Sequence, residues 1–377
     1  MQTADFLVIG GGVAGLSAAA ALAPHGDVAV IEAEDALGYH SSGRSVAFSH
    51  FGIGDAIVRG LTDHSRDFFI ADEALARRAT SLFFANDAMM PTLERLWDDM
   101  ARFTGGLSWA DPAEMQAMLP PLRVGPGAAV RGIVDPDGLK LDADALLQRY
   151  AKDLRGAGGR IHFGQRIATI AREGAAWTMR TEAGERWAAP VLVNAAGAWA
   201  DHVAEMAGVR PLGLSPRRRT VIVLDAPDGA DVSGWPFAKT ATDEFYMLPE
   251  AGKLLSCPVD EVECDPCDAR PEEYDIALTA ARVEEFTTLP VRRIAHSWAG
   301  LRSFVADRVP TAGFAPDTPG FFWLAGQGGY GLQTAPAMAE IVAALVTGSA
   351  WPQKLAALGV RSEHILPDRL FAGGNQP

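Results

Sequence analysis

Phe6-Leu7-Val8-Ile9-Gly10-Gly11-Gly12-Val13-Ala14-Gly15 decides how the rest of the chain is read. Its four apolar residues form a run short enough for a strand buried on both faces of a parallel sheet. They lead straight into glycines at 10, 12 and 15, which fit G-x-G-x-x-G. Ala14 to Leu22 has the Ala and Leu content of a helix, stopped by Pro24 and Gly26. Val28-Ala29-Val30-Ile31 is a second buried strand with Glu32 at its end. The spacing has physical reasons. Gly10 lets the chain turn sharply, Gly12 lets backbone approach a pyrophosphate, and Gly15 lets helix pack on strand. The helix start offers free N–H groups and a positive dipole end to phosphates, and Glu32 is placed to accept hydrogen bonds from a ribose. A glycine-rich turn alone is common, but strand, glycines, helix, strand and acid together specify a dinucleotide site in an α/β fold. They do not choose between FAD and a nicotinamide cofactor.

A chain of 377 residues suggests two domains. Its net charge of −14 and pI near 5.0 argue against nucleic acid or an anionic membrane as the main partner. Cys257, Cys264 and Cys267 are too few for a disulfide framework, which fits a reducing, cytoplasmic setting. Cys264-Asp265-Pro266-Cys267 has C-x-x-C spacing, but the acids around it raise a thiol pKa, and no second Cys or His pair completes a metal site. It reads as a loop. A first strand starting by residue 6 leaves no room for a cleavable signal peptide, and no window of 18 apolar residues predicts a membrane span.

Past Glu32, Leu37-Gly38-Tyr39-His40-Ser41-Ser42-Gly43-Arg44-Ser45 is polar, glycine-containing and carries one cation, a composition suited to phosphates. Helices are expected near 54–71, 87–103 and 111–119, then a turn at Asp135-Pro136-Asp137-Gly138. Asp142 caps an amphipathic helix with Leu146, Leu147, Tyr150 and Leu154 on one face. Residues 160–163, 167–172 and 177–181 read as strands, the latter two a hairpin, and Val191-Leu192-Val193 is a strand ending in small residues. Short β candidates follow at 220–224, 244–248 and 253–257, with a helix near 271–286. Phe321-Phe322-Trp323-Leu324 restores the βα rhythm, and Gln327-Gly328-Gly329-Tyr330-Gly331 opens a helix over 332–347, a second anion-binding geometry. Both ends of the chain therefore meet around one cofactor.

Longer strings carry a resemblance to a family: Gly38 to Ser45, Val191 to Trp199, Gly208 to Leu214, Trp298 to Asp307 and Gln327 to Gly331. Nearly end to end the chain resembles the D-amino-acid oxidase-like FAD oxidoreductases, which include glycine oxidase, sarcosine oxidase and the D-amino-acid dehydrogenases, D-arginine dehydrogenase most of all. The resemblance implies non-covalent FAD and an α/β fold. A Rossmann-type FAD-binding domain (1–50, 137–210 and 300–377) interleaves with an α+β substrate domain on an antiparallel or mixed sheet (51–136 and 211–299). To Gly10, Gly12, Ala14, Gly15 and Glu32 it adds Ala33 as cofactor contacts, with Ser41, Ser42, Gly43, Arg44, Ser45 and Ala47 from the next loop. It adds Arg166, Ile167, Ala195, Ala196, Gly197 and Trp199 from the middle, and Gly300, Arg302, Gly328, Gly329, Tyr330, Gly331, Leu332 and Gln333 from the last third. The implied reaction passes the α-hydrogen of an amino acid as hydride to flavin N5, and the imino acid hydrolyses to a 2-oxo acid and ammonia. Such chemistry depends on orientation more than on acids and bases. Arg302 is then the carboxylate clamp, since guanidinium grips carboxylate bidentately. Arg219 and Tyr246 match substrate-pocket positions, and Gln333 a polar residue near the flavin.

Departures from D-arginine dehydrogenase bear on the side chain. Ser81 falls where that enzyme has an acid, and Phe48, His50 and Ile53 replace its polar residues. Strand alternation points Phe237 and Lys239 to one face. If that face is the pocket, Lys239 and His50 add positive charge while Phe48, Phe51, Ile53 and Phe237 add apolar walls. This predicts a neutral or acidic D-amino acid rather than arginine. Sarcosine oxidases place a lysine above the flavin to activate O2. Here Leu254 aligns there, with Lys253 one residue away, which predicts a dehydrogenase passing electrons to a quinone or dye-like acceptor. Glycine, N-methyl amino acids or a 2-hydroxy acid are alternative substrates. A tRNA-modifying role is disfavoured by the acidic charge, and a non-catalytic flavoprotein leaves Arg302 and Tyr246 without purpose.

Overall fold

A computed structural model of the chain describes residues 1–371. Its first layer is a six-stranded sheet in the order Arg160–His162, Val28–Ile31, Phe6–Ile9, Val191–Asn194, Phe321–Ala325 and Thr311–Phe314. The first five strands are parallel and the last antiparallel. The N-terminal and C-terminal thirds thus share one sheet. The helix Val13–Leu22 packs on it because neither Gly15 nor Gly10 has a side chain. A Cβ on Gly15 would overlap the Gly10 carbonyl oxygen, while Gly10 itself has φ +106° and lies against the Ala195 carbonyl. That helix, with Gly331–Thr347, covers one face. The other is covered by a four-stranded sheet whose Trp177 and Trp187 are fully buried, and which includes the hairpin of Ile167–Glu173 with Ala176–Thr181.

The second layer is a nine-stranded mixed sheet. Ser215–Asp225 is its longest strand, paired near one end of the sheet with His296–Phe304, the short Val262–Glu263 and Lys253–Cys257, and Tyr246–Glu250, Phe237–Thr240, Ser81–Ala85, Arg131–Asp135 and Ser108–Ala110 continue it in that order. Only Phe237–Thr240 and Ser81–Ala85 pair in parallel. Phe83, Phe237, Tyr246, Leu255 and Cys257 occupy one face, and Leu82, Phe84, Met247 and Leu254 the other. The expected helices are present as Ala56–Ile70, Met90–Met100 and Pro112–Met118. The strands Ser81–Ala85 and Arg131–Asp135 were not anticipated: Ser-Leu-Phe-Phe-Ala is buried on both faces, so it shows no alternation to read. No helix among the described residues is long and apolar enough to cross a membrane.

Asp135 pairs across the sheet with Ser81 and is fully buried. Its Oδ1 accepts the Asp137 N–H at 3.0 Å, but its Oδ2 and the Ser81 hydroxyl have no partner among the described residues. Burial raises its pKa. A raised acid pKa contributes stability at low pH that is lost as pH climbs through the folded value. Asp135→Asn is therefore expected to stabilise the protein at pH 7.5 by about 1 kcal/mol, with the gain shrinking toward pH 4. Thermal melts at both pH values check this; equal Tm at pH 7.5 would show that the ionised carboxylate is not a cost.

Candidate functional site

A cavity of about 620 Å³ runs between the two layers. One end is lined by Glu32, Ala33, Arg166 and Ile167. The middle is lined by Gly10, Gly12, Ala14, Ser41, Ser42 and the run from Ala195 to Trp199. The far end is formed by Gly300, Arg302, Gly328, Gly329, Gly331 and Leu332. The lining fits a dinucleotide. Gly12 is an open cradle, since an added Cβ would meet only the Ser42 hydroxyl at 3.4 Å. Ser42 Oγ in turn accepts the Val13 N–H at 3.0 Å, beside the helix start. The Glu32 carboxylate is fixed at the end of its strand by the N–H groups of Gly11 and Glu34.

Several expected contacts have other roles. Gly15 serves packing, Gly43 lies in a turn where its N–H donates to the Gly38 carbonyl at 2.7 Å, and Ala47 (φ +50°) is a bend; none lines this cavity. Arg44 lines it, but its guanidinium pairs with Asp268 and donates to the carbonyls of Ala269 (2.8 Å) and Ala299 (3.2 Å). The cation read as a phosphate ligand therefore ties its loop to the second layer. Gln333 lines neither cavity of the site. Its amide donates to Thr62 Oγ at 2.7 Å and its oxygen accepts the His50 N–H at 3.4 Å, joining helix Ala56–Ile70 to the loop at His50. His202, Met206, Pro266 and Cys267 also line the first cavity, brought there by the tertiary fold with no motif to announce them.

A second cavity, also about 620 Å³, adjoins the first. Ser45, Val46, Arg219, Tyr246, Arg302 and Gly329 line both. Arg302 stands at this junction on strand His296–Phe304, opposite Arg217 in register and two residues from Arg219's partner Gly300. Gly329 makes room for it: a Cβ there would lie 2.6 Å from Nη1. The Arg302 guanidinium makes no hydrogen bond or ion pair with protein among the described residues. Burial, then Arg219, lowers its pKa, yet an arginine stays charged. Arg219 differs, donating from Nε to the Asp260 carbonyl at 2.6 Å and from Nη2 to Glu261 at 3.1 Å. The buried Tyr246 hydroxyl lies beside the Cys257 thiol, has no hydrogen-bond partner among the described residues, and is pushed well above its usual pKa by burial.

Phe48, His50, Ile53, Phe237, Lys239 and Tyr330 line the outer part. Phe48 and Phe237 stack at 4.5 Å. Lys239 is buried, donating to the Gly52 carbonyl at 3.2 Å and pairing with Asp243. Four expectations need correction. His50 adds no positive charge, because burial, then Lys239, Arg302 and Arg59, holds its pKa well below the usual value. Ser81 lines neither cavity. Phe51 is a core residue stacked on Phe103 at 5.7 Å. Neither Leu254 nor Lys253 faces the site. Leu254 packs on the opposite face of the sheet, and Lys253 is exposed and paired with Asp225 at 2.5 Å. Leu255 and Cys257 hold the face toward the cavities.

The family model described as DAO, FAD dependent oxidoreductase, matches residues 5–345. The chain is 32% identical over 176 residues to FAD-dependent oxidoreductase domain-containing protein 1 of Bos taurus, covering 41% of this chain and 35% of that protein. It is 26% identical over 251 residues to L-2-hydroxyglutarate dehydrogenase of Salmonella houtenae, covering 60% of this chain and 58% of that one. It therefore spans only part of the length of these curated relatives. The structure of L-proline dehydrogenase from P. horikoshii superposes with a TM-score of 0.85 at 19% identity over 100% of both chains. Two of these names state a substrate; the two differ, and neither is a D-amino acid.

Proposed function

The chain belongs to the DAO family of FAD dependent oxidoreductases, and on that premise we propose that it dehydrogenates an amino acid at the carbon bearing its carboxylate. FAD, when bound, supplies the hydride acceptor. The observation that carries the reading is the Arg302 guanidinium, charged, enclosed and without a protein partner among the described residues, where the two cavities meet. Such a group is poised for an anion, and a carboxylate matches its fork. Arg302 grips the substrate carboxylate, the Tyr246 ring walls the junction beside it, and Arg219, already tied to Asp260 and Glu261, supplies field rather than a grip. The Phe48–Phe237 stack and Ile53 keep water from the reacting carbon. With Lys239 paired to Asp243, the walls favour a neutral side chain. D-configuration, a 2-oxo acid and ammonia as products and the interleaved two-domain division rest on the resemblance carried by the strings at 38–45, 191–199 and 298–307; a cytoplasmic setting rests on the three cysteines, and a quinone or dye-like acceptor on no lysine of strand Lys253–Cys257 lining either cavity.

One observation favours a second reading, a 2-hydroxy acid. The neutral His50 imidazole lines the cavity, its Nδ1 enclosed beside Gly52, and a hydroxyl donor needs a base of this type. Anaerobic flavin bleaching separates the two. D-Methionine or D-phenylalanine is expected to bleach the flavin, and D-arginine weakly. Bleaching by 2-hydroxy acids alone, abolished in His50→Asn, would replace the first reading with the second, and a silent panel would sink both. Acid precipitation of the holoenzyme is expected to leave the flavin in the supernatant; yellow colour in the pellet would refute non-covalent binding.

A further inference from the structure

We infer that Lys239 and Asp243 form a charge-balanced selectivity pair for the substrate side chain, an inference that rests on the amino-acid reading above. The two groups sit at different depths of the second cavity. The Lys239 side chain is 8% exposed and that of Asp243 63%, so the cation is inside and the anion at the rim. They are joined through the turn between strands Phe237–Thr240 and Tyr246–Glu250. That turn is fixed. Thr240 Oγ accepts the N–H groups of Glu244 at 2.9 Å and Phe245 at 3.1 Å, and Asp243 is held at φ +60°. Left-handed backbone is uncommon for a residue with a Cβ, and such residues gather at sites. Three of the five non-glycine cases here, Asp243, Val259 and Arg308, line this cavity. No second acid forms an ion pair with Lys239 among the described residues.

While the pair is intact, the outer cavity offers a side chain no net charge from these two groups. Removing either partner exposes the other, but the consequences are unequal. Without Asp243, an enclosed ammonium keeps only the Gly52 carbonyl and would seek an anionic side chain in a poorly screened setting. Without Lys239, Asp243 stands at the rim in water, where its pull on a cation is weak. A lysine acting simply as an anion site would behave differently, since its removal would erase a preference for acids already present in the wild type.

The test uses holoenzyme and two ligands of matched shape, glutarate and its monoamide, titrated by their perturbation of the flavin spectrum, so that turnover is not required. Wild type is expected to bind both within a few-fold of each other. Asp243→Asn, whose asparagine tolerates the left-handed backbone, is expected to favour glutarate by on the order of tenfold. Lys239→Met should not favour glutarate, and the double variant should return to the wild-type ratio. A glutarate-to-monoamide ratio within twofold of wild type in Asp243→Asn overturns the inference, and bleaching of wild type by amino acids would show that the amino-acid reading survives it. If neither ligand perturbs the flavin in any variant, the carboxylate clamp fails and the inference falls with it.

Discussion

Arg302→Ala is expected to lower kcat/KM for carboxylate-bearing substrates by about 3–5 kcal/mol, a loss of two to three orders of magnitude or more, because the substrate carboxylate would be enclosed without its counter-charge. The same change should spare flavin content and folding. Arg302 has no protein partner among the described residues to lose, unlike Arg219, whose removal would orphan contacts of Asp260 and Glu261. Arg219→Ala is thus a poor probe of substrate binding, since its effect mixes structure with recognition. Arg302→Lys should recover only part of the loss, because an ammonium keeps the charge but not the fork. Steady-state kinetics with a neutral amino acid, beside the flavin-to-protein absorbance ratio, make the measurement. A drop below tenfold with full flavin occupancy would remove Arg302 from the clamp role.

What could be read before folding was local. The glycines at 10, 12 and 15 sit within one βα unit, and Asp142 caps its helix through the Ala145 N–H, three residues on. Chemistry carried by distant partners was not legible. Arg44 looks like a phosphate ligand until Asp268, 224 residues away, is seen to hold it. His50 looks like a cation until its enclosure by the Phe83 and Phe237 rings and its proximity to Lys239 and Arg302 are known. Leu254 fails for a different reason. A strand shows which residues alternate but not which set faces the cofactor, and a one-residue slip exchanges the faces. The special standing of Arg302 is an absence of partners among the described residues, which no stretch of sequence displays.

Gly12→Val and Gly15→Val should fail in opposite ways, although both strike the same motif. Gly12 has φ −78° and ψ 177°, extended backbone that valine adopts readily, and an added Cβ meets only Ser42 Oγ at 3.4 Å. The new methyls therefore project into the cavity, where backbone must approach a pyrophosphate. The variant is expected to fold, to melt close to the wild-type apoprotein, and to purify with less than about a tenth of the wild-type flavin, since its methyls would occupy the space into which the pyrophosphate must come. Gly15 has no such outlet. Its Cβ would lie 1.9 Å from the Gly10 carbonyl oxygen, driving helix Val13–Leu22 off strand Phe6–Ile9. Overpacking of that kind costs about 1–3 kcal/mol or more in a rigid core, so this variant should lose soluble yield before flavin can be assayed. Circular dichroism and melting of the apoproteins, with the ratio of 450 to 280 nm absorbance as isolated, separate the two outcomes. A yellow, fully loaded Gly12→Val protein would mean that the pyrophosphate lies elsewhere than at this helix start.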